Sequence, residues 1–341
     1  MRRLRVALLC HEDLVPPARL AGLGERAREE VETEWDVARG LRAAGHEVRF
    51  LGVSHDLAPI ARLLAAWRPH AVVNLLMEFA GEGALQAHVV AHLELLGAAV
   101  TGCDARGILL TRDKALAKTI LHHHGIPTPA FAVFARGRRA ARAPGLRFPL
   151  IVKSLDEEAS LGISQASVVH SDAQLRERVA FVHRRVGSDA IAEEYVEGRE
   201  LTLGVLGNQR LTVLPAWELR FARLPARSLP IATERAKFDP SHRRRIGVRR
   251  GRARGLSAQT EAAFARLARR AYRALGLSGH ARLDLRLRAD GRPQVIEVNA
   301  TPDLAAGEDL AASAAAAGIA YPRLLERILA LALARRARRA R

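Results

Sequence analysis

Lysine is almost missing from this 341-residue chain. It stands only at Lys114, Lys118, Lys153 and Lys237, so fifty of the 54 basic residues are arginine. Arginine serves wherever a surface needs a planar fork, whereas lysine is a compact, strongly hydrated point charge. The four lysines are therefore the first positions to ask about. Cysteine is equally scarce. Cys10 and Cys103 form no CxxC pair and have no ligand cluster beside them. That excludes a disulfide framework and a structural zinc site, and fits a reducing compartment. Aromatic residues make up 4% of the chain, too few for a row of base-stacking platforms. Long apolar runs are lacking too, since none approaches the roughly 18 residues of a membrane span. The short apolar run after Arg5 stops at His11-Glu12-Asp13, below the roughly 7–15 residues of a signal-peptide core. A cytoplasmic protein with no membrane partner is expected. No GxxxxGK occurs, so a P-loop nucleotide site is excluded.

What is present is globular: 49% hydrophobic and 26% charged residues, enough chain for two or three domains with real cores. Strands at Val6–Cys10, Glu47–Val53 and Ala71–Leu76 alternate with helices at Thr33–Ala44 (closed by Gly45) and Ala84–Leu96. This rhythm predicts a parallel sheet with helices on both faces. A helix from Arg112 to His124 ends at Gly125-Ile-Pro127. Its His122-His123-His124 point in different directions and make no metal face. Strand Leu150–Lys153, a glycine-containing loop at Asp156–Gly162, strand Ile163–Val169, helix Ser171–Val186 and strand Ala190–Val196 follow. Strands Glu200–Leu206 and Arg210–Glu218 meet at Gly207-Asn208. Poorly periodic, arginine-rich sequence fills Arg220–Gly255, then come helix Ala258–Leu275, a hairpin, and a last helix near Tyr321–Ala334. Gly22-Leu-Gly24-Glu-Arg-Ala27 matches the dinucleotide pattern GxGxxA but follows no strand, so it reads as a decoy.

The hairpin Ala281–Arg288 with Arg292–Asn299 carries the sharpest inference from residues alone. Asp290-Gly291 signals a two-residue turn. With that turn and no bulge, Asp284 lies opposite Glu297, and Arg282 opposite Asn299. Leu283, Leu285, Ile296 and Val298 then share the apolar face. Like charges directly opposite each other repel. A hard divalent cation, with Asn299 as a neutral oxygen ligand, would compensate. The bland reading is a solvated face on which Arg282 and Arg286 neutralise the acids.

Carboxylate-held metal, scattered lysines and no P-loop point to a magnesium nucleotide held by strands. Lys153 ends an apolar strand where an ammonium can reach phosphate. The loop through Ser160 and Gly162 can offer backbone N–H groups. Glu193-Glu194-Tyr195-Val196 ends another strand and can present a backbone donor and acceptor to an adenine edge.

These residues, in this order, resemble the ATP-grasp superfamily and, within it, the D-alanine–D-alanine ligases. The likeness runs from about Val72 to Leu329. It is carried by Val73-Asn-Leu-Leu76, Leu95-Leu-Gly97, Thr101-Gly102, Arg112-Asp-Lys114 with Lys118, and Gly125-Ile-Pro-Thr-Pro129. Phe148-Pro-Leu-Ile-Val-Lys153, Gly198-Arg-Glu200-Leu-Thr202 and Glu297-Val-Asn299-Ala-Thr-Pro302 complete it. The resemblance implies an α/β and α+β ATP-grasp fold. A Rossmann-like parallel-sheet domain (1–108) precedes two α+β subdomains (109–197 and 198–334) that sandwich ATP, with an arginine-rich tail at 335–341. It implies that Lys114 and Lys153 contact the phosphates and that Glu193, Glu194 and Val196 hold adenine. Glu200 would hold the ribose, and Lys237 would close over the γ-phosphate from a mobile loop. Asp284, Glu297 and Asn299 would bind two Mg2+ ions, with Mn2+ as a substitute. Arg282 would stabilise an oxyanion, and Ser160 would belong to the catalytic glycine loop. Lys118 reads as a surface residue. The implied reaction is ATP-dependent formation of an amide from a carboxylate and an amine through an acyl phosphate, in the service of the cell wall. Partners would be ATP and small amino acids or amines, in a homodimer of the kind common in the family.

The departures gather on the amino-acid side. The family's first-loop glutamate is not evident; Glu25, Glu29 and Glu34 are candidates, and Glu78 and Glu82 lie where the family has acids. Phe238 replaces the tyrosine after the closing lysine, and Ala159 replaces the first loop serine. Glu308-Asp309 stands where the family holds the second substrate's carboxylate, a placement that would repel a carboxylate. A ligase of the same superfamily joining another amine is therefore an alternative. A nucleic-acid-binding protein is a second alternative, resting on the +18 charge and the run His242–Arg254; the few aromatics speak against it.

Overall fold

The computed structural model describes residues 2–157 and 160–339. Ala159 and the end of the arginine tail, Ala340 and Arg341, lie outside them. Three strands open the chain: β1 (Arg5–His11), β2 (Glu47–Val53) and β3 (Ala71–Asn74). They form a parallel sheet in the order β2-β1-β3, as the alternation of strand and helix predicts. Period two decides which core each side chain joins. Ala7 and Leu9 of β1 enter one apolar cluster with Ile60, Val89 and Leu93. Val6, Leu8 and Cys10 enter another with Val37, Leu41, Leu325 and Leu329. The second face of the first sheet is thus closed partly by the helix Tyr321–Arg339, from the far end of the chain.

The middle of the chain builds an antiparallel sheet from β4 (Phe131–Phe134), β5 (Leu150–Ser154), β6 (Val168–Val169) and β7 (Ala190–Glu194), in the order β4-β7-β5-β6. It has a core of its own, in which Leu150, Val152, Leu175, Val179 and Ala192 meet. The remaining strands are β8 (Arg199–Leu206), β9 (Thr212–Val213), β10 (Trp217–Phe221), β11 (Val248–Arg252), β12 (His280–Leu287) and β13 (Pro293–Asn299). Their order is β11-β10-β8-β12-β13, with β9 on the end of β8. Leu203, Leu283, Leu285 and Val298 of this sheet pack on Phe264, Ala268 and Tyr272 of the helix Ala258–Ala274, in the same cluster as one face of the first sheet.

Some expected elements shift or divide. The helix expected over 112–124 is present as Lys114–His123, starting at the N-cap Asp113, whose Oδ1 accepts from Leu116 N at 2.9 Å; a further helix, Ala105–Arg112, precedes it. The strand expected over 163–169 shrinks to β6, since Gln165–Ser167 form a 3-10 turn. The strand expected over 210–218 breaks at Leu214-Pro215 into β9 and β10. The arginine-rich stretch is not irregular: it holds the helices Glu234–Phe238 and Pro240–Ile246 and the strand β11. Its strand is paired rather than amphipathic, with Arg249 opposite Arg220 and Arg250 opposite Leu219, so periodicity gave no sign of it. Gly24 is the N-cap of the short helix Glu25–Glu30.

Candidate active site

A cleft lies between the β5–β7 sheet and the β8–β12–β13 sheet. All the expected site residues line it: Lys114, Lys153, Ser160, Glu193, Glu194, Val196, Glu200, Lys237, Arg282, Asp284, Glu297 and Asn299.

Asp284 does lie opposite Glu297, and Arg282 opposite Asn299, but the route there differs from the expected one. The turn is not the two-residue type. Arg288 N donates to Arg292 O at 3.1 Å, which encloses a three-residue loop with Gly291 at φ 78. The extra loop residue shifts the register by one, so Leu285 pairs with Val295. A β-bulge then shifts it back between Leu285 and Asp284, leaving Ile296 without a cross-strand partner. The two departures cancel at the acids. They do not cancel at Ile296, which lines the cleft while Val295 takes the fully buried place.

Electrostatics explains how the opposed acids coexist. Arg282 is bidentate on Asp284, Nε to Oδ1 at 2.7 Å and the second nitrogen to Oδ2 at 2.9 Å. Lys114 Nζ stands 3.5 Å from Glu297 Oε1. Burial works to raise the Glu297 carboxyl, but Lys114, Lys153, Lys237 and Arg282 outweigh it and hold it at about 2. Glu297 is therefore an anion throughout the physiological range. On the solvated-face alternative, Arg286 would neutralise these acids as well. It turns instead to Glu200, 2.7 Å away, and to the carbonyls of Gly198 and Pro230.

The other wall holds a buried charge cluster. Lys153 Nζ donates to Glu193 Oε2 at 3.0 Å, and Lys118 Nζ is 3.5 Å from Glu193 Oε1. Lys118 corrects the sequence reading: it is 2% exposed, and its ammonium donates to Ile296 O at 2.6 Å. Its scarcity as a residue type and its place one helical turn after Lys114 were the signals. Desolvation pulls its pKa down to about 8, against the pull of Glu193. Burial likewise opposes ionisation of Glu193, yet Lys118 and Lys153 keep its pKa below the usual carboxylate value.

Glu194 turns its carboxylate outward to Arg147, at 3.1 Å. Its backbone N–H is taken by Ala130 O, and that of Tyr195 by Pro149 O. The Glu194 carbonyl and the Val196 N–H make no backbone hydrogen bond outside the strand ladders among the described residues. Acceptor and donor two residues apart suit one edge of a heterocyclic base. Above them sit two loops. Ser160 adopts φ 62, and Gly162 N donates to Glu234 Oε2 at 2.7 Å. Glu234 belongs to the helix that carries Lys237, so this hydrogen bond ties the glycine loop to the Lys237 segment. Arg178 donates to the Gly162 carbonyl from behind.

The donor set fits a divalent cation with a polyphosphate. Two carboxylates and an amide oxygen supply hard ligands, and Mg2+ commonly takes one or two carboxylates plus phosphate and water. No group of three or more His, Cys, Asp or Glu that could hold a metal exists among the described residues.

The glutamates considered for the amino-acid side differ in their surroundings. Of the candidate glutamates, Glu25 is exposed and Glu29 pairs with Arg243 at 3.1 Å, while Glu34 is 3% exposed. Burial, with Asp303 nearby, raises the Glu34 carboxyl to about 7. Glu78 and Glu82 are exposed, as is Phe238. Glu308 does not stand as a bare repelling charge, because Arg250 grips both its oxygens.

The family model "D-ala D-ala ligase C-terminus" matches residues 120–330, more than half of the chain. An uncharacterised protein, y4sG, of Sinorhizobium fredii is 34% identical over 72% of this chain and 69% of its own length. A D-alanine–D-alanine ligase of Moorella thermoacetica is 31% identical over 87% of this chain and 92% of its own. Among solved structures, D-alanine–D-alanine ligase from Bacillus anthracis complexed with ATP superposes with a TM-score of 0.75. It is 22% identical and covers 98% of this chain and 99% of its own. The chain belongs to the D-alanine–D-alanine ligase family and has its ATP-grasp fold.

Proposed function

We propose that this protein is an ATP-dependent ligase that joins the carboxylate of one small amino acid to the amine of another, with D-alanine as the reference substrate for both. The observation that carries the reading is the convergence of all twelve expected residues on one cleft, with Asp284 opposite Glu297. Bound there, a magnesium nucleotide supplies the phosphoryl group that activates a carboxylate. The protein's part is positioning and charge. Lys114 and Lys153 face the polyphosphate as point charges, and Lys237 adds a third from the closing segment. Asp284, Glu297 and Asn299 hold the cations. The Glu194 carbonyl and Val196 N–H orient the base, and Glu200, steadied by Arg286, takes the ribose. Arg282 stabilises the oxyanion that forms when the amine adds. The glycine loop and the Lys237 segment, joined through Glu234, exclude water that would hydrolyse an acyl phosphate. We place the enzyme in the cytoplasm, where ATP is available; no helix among the described residues is long and apolar enough to cross a membrane.

The test is phosphate release from ATP and Mg2+ across a panel of D- and L-amino acids, with Glu297→Gln beside the wild type. Release that requires an amino acid, yields a dipeptide, and falls at least about 100-fold in the variant is the expected result. Bound ATP with no release stimulated by any amino acid would overturn the reading.

A further inference from the structure

The reading above needs Glu297 on the cleft face, and strand pairing alone does not put it there. From the three-residue loop, the ladder runs Leu287 to Pro293, Arg286 to Gln294 and Leu285 to Val295. Continued without interruption, it would set Asp284 opposite Ile296, Leu283 opposite Glu297 and Arg282 opposite Val298. A one-residue slip flips every side chain to the other face. Glu297 and Asn299 would then point into the core where Leu283 is fully buried. The bulge at Ile296 prevents this, and the whole constellation depends on it.

A bulge leaves its extra residue outside the ladder, and a carbonyl partly shielded from water there gains from a partner. The Ile296 carbonyl finds Lys118 Nζ at 2.6 Å. The same ammonium is 3.5 Å from Glu193 Oε1, and Glu193 is paired to Lys153 at 3.0 Å. One turn earlier on the same helix, Lys114 reaches Glu297 Oε1 at 3.5 Å and donates to Glu157 O at 2.6 Å. Two lysines four residues apart thus hold two consecutive residues of β13.

From this geometry we infer that Lys118 is a positioning residue. It anchors the bulge, fixes the register that presents Glu297 and Asn299 to the metal, and ties that strand to the nucleotide wall through Glu193. It touches neither substrate nor metal. This role rests on the magnesium-nucleotide reading, so the test separates the two. Full-length wild type, Lys118→Met, Lys118→Gln and Lys118→Arg would be compared by binding of a non-hydrolysable ATP analogue without metal. Mn2+ binding with the analogue present, and amide hydrogen exchange in the hairpin, would be measured on the same samples.

Lys118→Met is expected to bind the metal-free analogue within about threefold of wild type. It should hold Mn2+ about 10–100-fold more weakly, the range for losing a residue that orients metal ligands. The Val295 and Glu297 amides should exchange about tenfold faster, and Lys118→Arg should restore most of both losses. Should the methionine variant fail to fold, Lys118→Gln, which keeps an N–H donor but no charge, carries the same comparison. Unchanged Mn2+ affinity with unchanged hairpin exchange would overturn the inference, and so would equal weakening of analogue and metal. Wild type that binds neither analogue nor Mn2+ would sink the ligase reading instead, and the exchange measurement would still decide the anchor.

Discussion

Glu34 shows how much a single side chain's surroundings matter. It is buried beside Cys10 and near Asp303, with no ion pair among the described residues, and its carboxyl is raised from 4.5 to about 7 by burial and then by Asp303. A raised carboxyl keeps its proton better in the folded protein than in the unfolded one. Its contribution is thus most favourable below pH 4.5 and is lost as pH climbs through 7. Glu34→Gln should therefore stabilise the fold by up to about 3 kcal/mol at pH 8 and by almost nothing at pH 4. Urea unfolding at the two pH values checks this; equal effects at both would refute the assignment. Among the lysines, counting was enough to mark positions but not to tell their duties. Lys114, Lys153 and Lys237 line the cleft, while Lys118 lies behind it. Only the path of β13 decides that difference.

At the scale of elements, the hairpin β12–β13 was legible in type and place and illegible in detail. Asp290-Gly291 marked a turn, and alternation marked the polar face. Whether the loop has two or three residues, and whether a bulge follows, depends on what the part-buried Ile296 carbonyl can find. That partner sits 178 residues away in the chain. If the bulge is pinned by Lys118, the loop can be strained without moving the acids. Gly291→Ala places a Cβ at φ 78, with nothing within 4 Å of it, so the cost is conformational strain, about 1–2 kcal/mol. Stability should drop by that amount in a chemical melt while metal-dependent nucleotide binding stays as in wild type. A large loss of metal binding would mean that the loop, not the bulge, sets the register. The arginine-rich segment failed to read as structure for a related reason. Its strand β11 borrows order from β10 across the ladder, and its short helices take theirs from the caps Thr233 and Asp239.

The whole molecule is closed by its last helix. Leu324, Leu325, Ile328 and Leu329 are each at most 2% exposed and pack with Val37 and Leu41 over β1. Gly40 is small because a Cβ there would lie 2.6 Å from Leu325 Cδ1. Leu329→Ala, close to the chain end, should therefore cost as much as a mutation at the centre, about 2–5 kcal/mol. Calorimetry would show it as a lowered Tm for the main transition. A loss below about 1 kcal/mol would mean that the helix frays independently. The central unit around β4–β7 keeps a separate core.

By itself the sequence determined the local matters: which stretches alternate, where glycine and proline stop them, and which face of each element is apolar. It also determined the set of chemical groups, since charge type and spacing are written residue by residue. Tertiary structure decided register, pairing and burial. Those depend on partners distant in the chain: Lys118 under Ile296, Arg250 on Glu308, and the final helix against the first strand. A one-dimensional pattern carries a side chain's period, but not the carbonyl or carboxylate that will meet it when the chain closes.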